Sequence, residues 1–200
     1  TIRIFSKTPT AIAAFFRSRR GKKTISPKKG LSFSENFFYM CFGKVPSNEI
    51  IKAFDVSLIL YAEHSFNVST FTARTITSSL SDIHSAITGA IGSLKGTLHG
   101  GANEEVMHMM NKIKKPENAL NWINKTLDNK DVVMGFGHRV YKKGDSRVPT
   151  MEKYFKRVCE IKKDKTFNKI YEVVKNVMIK RKDIHPNVDY PTGPTYHLMG

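Results

Sequence analysis

Three short segments of the sequence each place one ionisable side chain between glycines or prolines. They are residues 98–103 (LHGGAN), 135–139 (GFGHR) and 186–191 (PNVDYP). Glycine lets a ligand approach the backbone closely, and proline fixes the local direction of the chain. Two histidines and one carboxylate held in this way are the groups that concerted acid–base catalysis requires.

His99 precedes two glycines and a segment that begins a predicted helix. The positive end of a helix dipole disfavours an imidazolium, so His99 could act as a neutral imidazole that donates a hydrogen bond to a carbonyl oxygen. The alternative is a histidine that only caps or packs a buried turn.

His138 follows a Gly-x-Gly pair, Gly135 and Gly137, whose backbone N–H groups could face a phosphate or an adenine edge. Lys142 and Arg147 lie just beyond it. Such residues could bind carboxylates or phosphates, and Arg147 could do so with both arms of its guanidinium. The alternative is a solvated basic turn.

Asp189 lies between Pro186 and Pro191, which predicts a stiff loop. Such a loop can hold a carboxylate in a cleft, where burial would raise its pKa towards that of a general base. The alternative is an aspartate that only forms a turn.

The composition is that of a globular protein, with 40% hydrophobic residues and a formal net charge of +16. The charge favours anionic partners, although lysines at solvated positions would also account for much of it. Nine of the basic residues lie in residues 1–30, where we predict a surface helix from Thr8 or Pro9 and then a basic loop. The two cysteines predict neither a metal site nor a disulfide, and no apolar run approaches the ~20 residues that span a bilayer.

Helical periodicity and capping signals predict an all-α protein of two packed bodies, with a boundary near residue 100. Residues 132–134 are the one segment for which we predict an extended conformation. The predicted helices cover residues 47–64, 69–80, 81–94, 104–113, 116–127, 149–162 and 167–182.

Four blocks of the sequence together resemble the citrate synthase family, which includes 2-methylcitrate synthases. They are residues 64–70 (HSFNVST), 96–104 (GTLHGGANE), 135–142 (GFGHRVYK) and 187–189 (NVD). They occur in the family's order and at about its spacing, and the similarity covers essentially the whole chain.

The resemblance implies a catalytic role for each of the three ionisable residues. His99 would hydrogen-bond the thioester carbonyl of an acyl-CoA and stabilise its enol, Asp189 would remove the α-proton, and His138 would bind and protonate the oxaloacetate carbonyl. Oxaloacetate would also be held by His64 and Arg147. The residues implied in CoA binding are Val132, Val133, Gly135, Gly137 and Lys142.

The implied activity is the condensation of acetyl-CoA with oxaloacetate, followed by hydrolysis of citryl-CoA to citrate and CoA. This is an acyltransferase reaction of the tricarboxylic acid cycle that needs neither a metal nor a further cofactor. The implied protein is a cytoplasmic homodimer or higher homo-oligomer without nucleic-acid or membrane partners, although a preceding organellar signal is left open.

The implied fold is a two-domain helical one, of which this chain is an internal fragment. Residues 1–100 would belong to the large domain and 101–194 to the small domain, and 195–200 would return to the large domain. Two further arginines that the family uses on oxaloacetate, one of them from the partner subunit, would lie outside the fragment. We therefore expect the fragment alone to have little activity.

Three other functions are considered. The first is 2-methylcitrate synthesis from propionyl-CoA, because one methylene of pocket space is worth only about 1–3 kcal/mol of discrimination. The second is the citrate synthase-like module of a citrate-cleaving lyase. The third is a basic, helical nucleic-acid-binding protein. The basic residues near the N-terminus argue against it, because no aromatic residues for base stacking are interleaved with them.

Overall fold

The structure is a computed structural model that describes residues 1–62, 64 and 66–200. Glu63 and Ser65 lie outside the described residues, and Ser65 belongs to the first of the four family-like blocks. The described residues form ten α-helices and no strand, which confirms the predicted all-α class. The helices are α1 (Ile2–Ser18), α2 (Phe33–Phe42), α3 (Asn48–Tyr61), α4 (Val68–Thr77), α5 (Ile83–Leu94), α6 (Ala102–Ile113), α7 (Pro116–Asp128), α8 (Val148–Lys162), α9 (Thr166–Lys182) and α10 (Asp189–Met199).

The chain divides into two compact units, Thr1–Leu58 and Ile59–Gly200. In the first unit α1 packs on α2. The predicted start of α1 at Thr8 is wrong, because the helix begins at Ile2 and contains Pro9. Pro9 removes one hydrogen bond from the helical ladder, and the helix nevertheless continues through this turn to Ser18.

The second unit contains the larger hydrophobic core, formed by α6 to α10. Helix α10 packs on α6 and α8, and α7 packs on α9. Helices α4 and α5 pack on each other, with Gly89 of α5 against the side chain of Ile76. The fully buried large side chains of the core include Val106, Met110, Ile123, Phe155, Tyr171 and Tyr190.

The expectation that Asp189 lies in a stiff loop is wrong, because Asp189 is the first residue of α10. The first N–H groups of a helix have no intrahelical acceptor, so Pro191 costs no hydrogen bond there. Pro191 therefore lies in the first turn of a helix, Pro186 precedes that helix, and Asp189 stands at its N-terminal end.

The segment predicted to be extended belongs to no regular strand in the described part of the chain, and one antiparallel bridge joins Phe136 to Pro186. The Gly137 N–H donates to the carbonyl of His185, and the Asn187 N–H donates to the carbonyl of Gly135, each at 2.9 Å. These bonds tie the backbone before His138 to the backbone before Asp189. The bridge therefore brings two of the three chemical segments together.

Candidate active site

Asp189 is half-buried, and one of its carboxylate oxygens is bound by a tyrosine. The Tyr61 hydroxyl donates to Asp189 Oδ1 at 2.5 Å. Burial raises the pKa of the Asp189 carboxyl, while the Tyr61 hydrogen bond and the positive charge of Arg147 oppose that rise without cancelling it. Asp189 is thus a carboxylate of increased basicity, as the sequence predicted for a buried general base.

His99 is held as one tautomer by Ser69. The Ser69 backbone N–H donates to His99 Nε2 at 3.2 Å, and the Ser69 hydroxyl lies 2.5 Å from the same nitrogen. Because an N–H group points at Nε2, that nitrogen must be the unprotonated one, and Nδ1 carries the proton. Burial lowers the pKa of His99, opposed by the Asp189 carboxylate and reinforced by His64, so the ring is neutral at pH 7.

His138 is held in the opposite sense by backbone groups. The N–H groups of Val140 and Tyr141 both donate to His138 Nδ1, at 3.1 and 3.3 Å. Nδ1 is therefore the acceptor, and Nε2 carries the proton. Burial lowers the pKa of His138, against the opposing charge of Asp145 and with the help of Arg147. Both candidate histidines are thus neutral hydrogen-bond donors with a defined donor atom.

Arg147 is bound by Asp145, which changes what its guanidinium can do. Its Nε and Nη2 donate to the two oxygens of Asp145 at 2.9 and 2.7 Å. This pair uses the Nε–Nη2 edge of the guanidinium, so the Nη1–Nη2 edge keeps the N–H groups that could bind a substrate carboxylate. Burial works against both charges, but the mutual hydrogen bonds prevail: the pKa of Asp145 is lowered and that of Arg147 is raised.

His64, His138 and Tyr141 form an aromatic cluster beside Arg147. The rings of His64 and His138 are 5.4 Å apart and nearly perpendicular, and Tyr141 lies 4.6 Å from His138. The Arg147 guanidinium lies 5.3 Å from the centre of the Tyr141 ring. His64 Nδ1 is buried and has no hydrogen-bond partner among the described residues. A buried polar atom without a partner is costly, so this cluster suits a polar, anionic ligand.

The residues expected to bind CoA fall in different places. Val132 and Val133 line a cavity of about 370 Å³. The basic residues of that lining are Lys130 and Lys182, which the sequence reasoning missed, whereas Lys142 is exposed in the loop after His138.

Gly135 and Gly137 shape the backbone beside this cavity. Gly135 has a φ of +84°, and a Cβ there would lie 2.8 Å from side-chain atoms of Val106 and Tyr190. Gly137 has a φ of +74° and forms part of the bridge to the segment before Asp189. Both glycines therefore have a structural reason to be glycine, independent of any ligand.

Three residues that contact the candidate side chains escaped assignment from the sequence: Tyr61, Ser69 and Asp145. Ser69 lies inside one family-like block, and Asp145 lies two residues before Arg147. Closeness in the sequence to a candidate residue or block was the only signal for Ser69 and Asp145, because hydrogen-bond partners are set by tertiary contacts.

Among the residues that the structure describes, no group of three or more His, Cys, Asp or Glu side chains is arranged to hold a metal ion. None of the helices that the structure describes is long and apolar enough to cross a membrane.

Comparison with known proteins places this site in a family. The family described as "Citrate synthase, C-terminal domain" matches residues 1–200. The chain is 52% identical over 199 residues to a 2-methylcitrate synthase of Mycobacterium tuberculosis, covering 100% of this chain and 51% of that protein. It is 50% identical to a citrate synthase of Mycolicibacterium smegmatis, covering 100% and 53%.

A solved structure gives the same result for the fold. The citrate synthase of Thermoplasma acidophilum, in a ternary complex with carboxymethyl coenzyme A and oxaloacetate, superposes with a TM-score of 0.88 at 34% identity, covering 98% of this chain and 53% of that one. The chain spans about half the length of the curated relatives it matches. With a family match over its full length and these relatives, the chain belongs to the citrate synthase family.

Proposed function

We propose that the protein containing this chain condenses acetyl-CoA with oxaloacetate and releases citrate and CoA. The observation that carries the proposal is the set of hydrogen bonds that leave one donor nitrogen on each of two histidines and hold one oxygen of a half-buried carboxylate. Burial lowers the pKa of both imidazoles and raises the pKa of the carboxyl, which supports these roles. Such groups can remove a proton from carbon while stabilising the oxygen that becomes negative.

In the first step Asp189 removes an α-proton from the acyl-CoA. A thioester is too weak a carbon acid for a carboxylate alone, so the developing enolate oxygen needs a donor. His99 Nδ1–H is that donor, because Nε2 is bound by Ser69. Loss of one such donor typically costs about 100- to 1,000-fold in rate.

In the second step the enolate that His99 hydrogen-bonds attacks the carbonyl carbon of oxaloacetate. His138 Nε2–H faces the carbonyl oxygen and supplies its proton as the new carbon–carbon bond forms, and the ring then regains a proton from solvent. His64 and the Nη1–Nη2 edge of Arg147 hold oxaloacetate; the unpartnered His64 Nδ1 and the fixed position of Arg147 against Asp145 support that assignment. Hydrolysis of citryl-CoA then releases CoA.

CoA is proposed to bind at the cavity lined by Val132 and Val133, with an adenine against their backbone. Lys130 and Lys182 line the same cavity and could pair with CoA phosphates. Lys142, which the resemblance assigned to those phosphates, remains a second candidate. The acyl-CoA and oxaloacetate are the only ligands in this proposal, with no metal or other cofactor.

The second candidate function is 2-methylcitrate synthesis from propionyl-CoA. It is supported by the 52% identity to a protein of that name, against 50% for a citrate synthase. A difference of two percentage points in sequence identity does not distinguish enzymes whose substrates differ by one methylene, so steady-state kinetics must identify the acyl-CoA.

We further propose a cytoplasmic homodimer that serves the tricarboxylic acid cycle. Support for the dimer comes from exposed apolar side chains on α4 and α5, including Phe71 and Ile91, which are 71% and 58% exposed. Cys41 and Cys159 are free and buried, which fits a reducing compartment. Ile91→Glu should shift the light-scattering mass towards the monomer, and a wild-type monomer would contradict the dimer.

We propose the same domains as the sequence predicts: residues 1–100 in a large domain, 101–194 in a small domain and 195–200 returning to the large one. Supporting a boundary near residue 100, α4 packs on α5 while α6 to α10 share one core. Because the chain spans about half the length of its curated relatives, we propose that residues 1–200 alone turn over slowly, since two arginines that the family uses on oxaloacetate would lie outside them.

The test is a thiol-release assay on the gene product that contains this chain, expressed at its full length. It is run with oxaloacetate and either acetyl-CoA or propionyl-CoA, beside Asp189→Asn and the control Asp128→Asn, whose carboxylate is exposed on α7. The ratio of the two kcat/KM values chooses the acyl-CoA. No CoA release by the wild type would refute the function, and wild-type rates for Asp189→Asn would place the base elsewhere.

A further inference from the structure

The hydrogen bond between Tyr61 and Asp189 joins two residues that are 128 positions apart in the chain. Tyr61 is the last residue of α3, and its hydroxyl meets the first residue of α10. Thr192 and Tyr196, both on α10, also act on the Tyr61 hydroxyl. The phenol therefore lies in a polar contact built by α10, with its hydrogen bond directed at the candidate base.

The other charged groups around Asp189 act on it through their charges. The positive charge of Arg147 favours the ionised carboxylate, and the negative charge of Asp145 opposes it. Arg147 and Asp145 are bound to each other, so their effects on a third group partly cancel. Among these neighbours Tyr61 is the one that hydrogen-bonds the carboxylate itself.

A phenol can donate only one proton, and here it goes to Oδ1. Burial raises the pKa of Tyr61 well above its ordinary value, with the Asp189 charge adding to the effect, so the hydroxyl stays protonated and remains a donor. A donor fixed on one carboxylate oxygen leaves the other to accept a proton from carbon. It also stabilises the charged form of a group that burial pushes towards the neutral form.

We propose that Tyr61 is a positioning residue for the base: its hydroxyl holds Asp189 Oδ1, presents Oδ2 to the α-carbon of the acyl-CoA, and keeps the buried carboxylate ionised. This inference rests on the proposed function, since it assigns Asp189 as the base. Tyr61 itself transfers no proton in this scheme.

The test is Tyr61→Phe in the full-length gene product, which removes the hydroxyl and keeps the ring. Loss of a hydrogen bond to a charged group should raise the pKa of Asp189, so the acid limb of the kcat profile should move up by about one to two pH units. At pH 7 we expect kcat to fall and KM for oxaloacetate to change by a smaller factor. The primary isotope effect with α-deuterated acyl-CoA should increase, because proton removal becomes slower.

The matched control is Tyr190→Phe, which removes a buried tyrosine hydroxyl from the neighbouring residue. That hydroxyl donates to the Tyr171 carbonyl at 2.9 Å and not to a carboxylate. The control should lower stability and leave the acid limb where it is. If both variants move the limb equally, Tyr61 has only a structural role.

A second variant tests the same inference if Tyr61→Phe does not fold. Fluorinated tyrosine at position 61 keeps the shape and strengthens the donor, so the acid limb should move down. An unchanged limb in either folded variant, with an active wild type, would overturn the inference while leaving the proposed function intact. An inactive wild type would instead overturn the function.

Discussion

The Asp145–Arg147 ion pair is buried, and this burial sets how much stability should be lost when the pair is broken. The Asp145 side chain is fully buried and that of Arg147 is 10% exposed. Asp145 accepts three hydrogen bonds from Arg147, two from the guanidinium and one from its backbone N–H. It accepts a fourth from the backbone N–H of Val188, the residue before the candidate base.

Asp145→Asn keeps the shape of the side chain and removes its charge. The amide nitrogen must then face an N–H group of Arg147 or Val188, so a donor meets a donor, and the guanidinium becomes a buried charge without a counter-ion. Breaking a buried pair in this way typically costs about 3–5 kcal/mol of unfolding free energy. Because Asp145 also fixes Val188, kcat should fall as well.

The matched control is Asp128→Asn, which alters an exposed pair. Asp128 and Arg181 are 64% and 38% exposed, and exposed pairs contribute about 0–1 kcal/mol. The assay is urea unfolding of the chain followed by the fluorescence of Trp122, its one tryptophan, which packs against the core of the second unit. Equal losses in the two variants, within about 0.5 kcal/mol, would show that burial does not strengthen this pair.

The pH dependence supplies an independent check on the same pair. The pKa of Asp145 is lowered in the folded chain, so its stabilisation is complete above the unfolded value of about 3.9 and is lost as the pH falls through the folded value. The difference between wild type and Asp145→Asn should therefore be constant from pH 5 to 8 and shrink below pH 4. If the difference instead shrinks between pH 6 and 8, a group other than Asp145 controls the pH dependence of stability.

Three further predictions concern the backbone, the CoA site and the histidine. Gly135→Ala should lower the free energy of unfolding by about 2–5 kcal/mol, because a positive φ adds to an overlap with the core. The control Gly21→Ala has open space around it and should lose only the energy of a positive φ, and thermal unfolding midpoints compare the two variants. Lys182→Glu should raise KM for the acyl-CoA several-fold and leave KM for oxaloacetate unchanged, and a larger effect of Lys142→Glu would move the phosphate site. His138→Asn should lower kcat about 100- to 1,000-fold, and imidazole ¹⁵N shifts of the wild type at pH 7 should report a neutral ring protonated on Nε2; an imidazolium signal would refute the tautomer.

The helices that follow residue 100 are predicted well by sequence periodicity. Pro116 begins α7 as expected, because proline fits the first turn of a helix, and α8 contains Pro149 in its first turn. The same rule misled at Asp189, where prolines on both sides suggested a loop. Only the packing of α10 against α6 and α8 decides that this segment is a helix.

The types and order of the chemical residues are a property of the sequence, and they were sufficient to suggest the family and the three candidate catalytic residues. The sequence could not specify which atoms of those residues are available. The tautomers of His99 and His138 are set by N–H groups that face one ring nitrogen, and the Nε–Nη2 edge of the Arg147 guanidinium is bound by Asp145. Hydrogen bonds depend on distances of a few tenths of an ångström between groups that folding brings together.

Tyr61 is the clearest example of what only the tertiary structure decided. In the sequence it is the end of an apolar helix, 128 positions before Asp189, and nothing in that spacing predicts a contact. In the folded chain it donates to the carboxylate and opposes the effect of burial on the Asp189 pKa. The sequence alone thus determined which groups could do chemistry, and the fold decided their protonation and their free atoms, because both depend on burial and on partners distant in the chain.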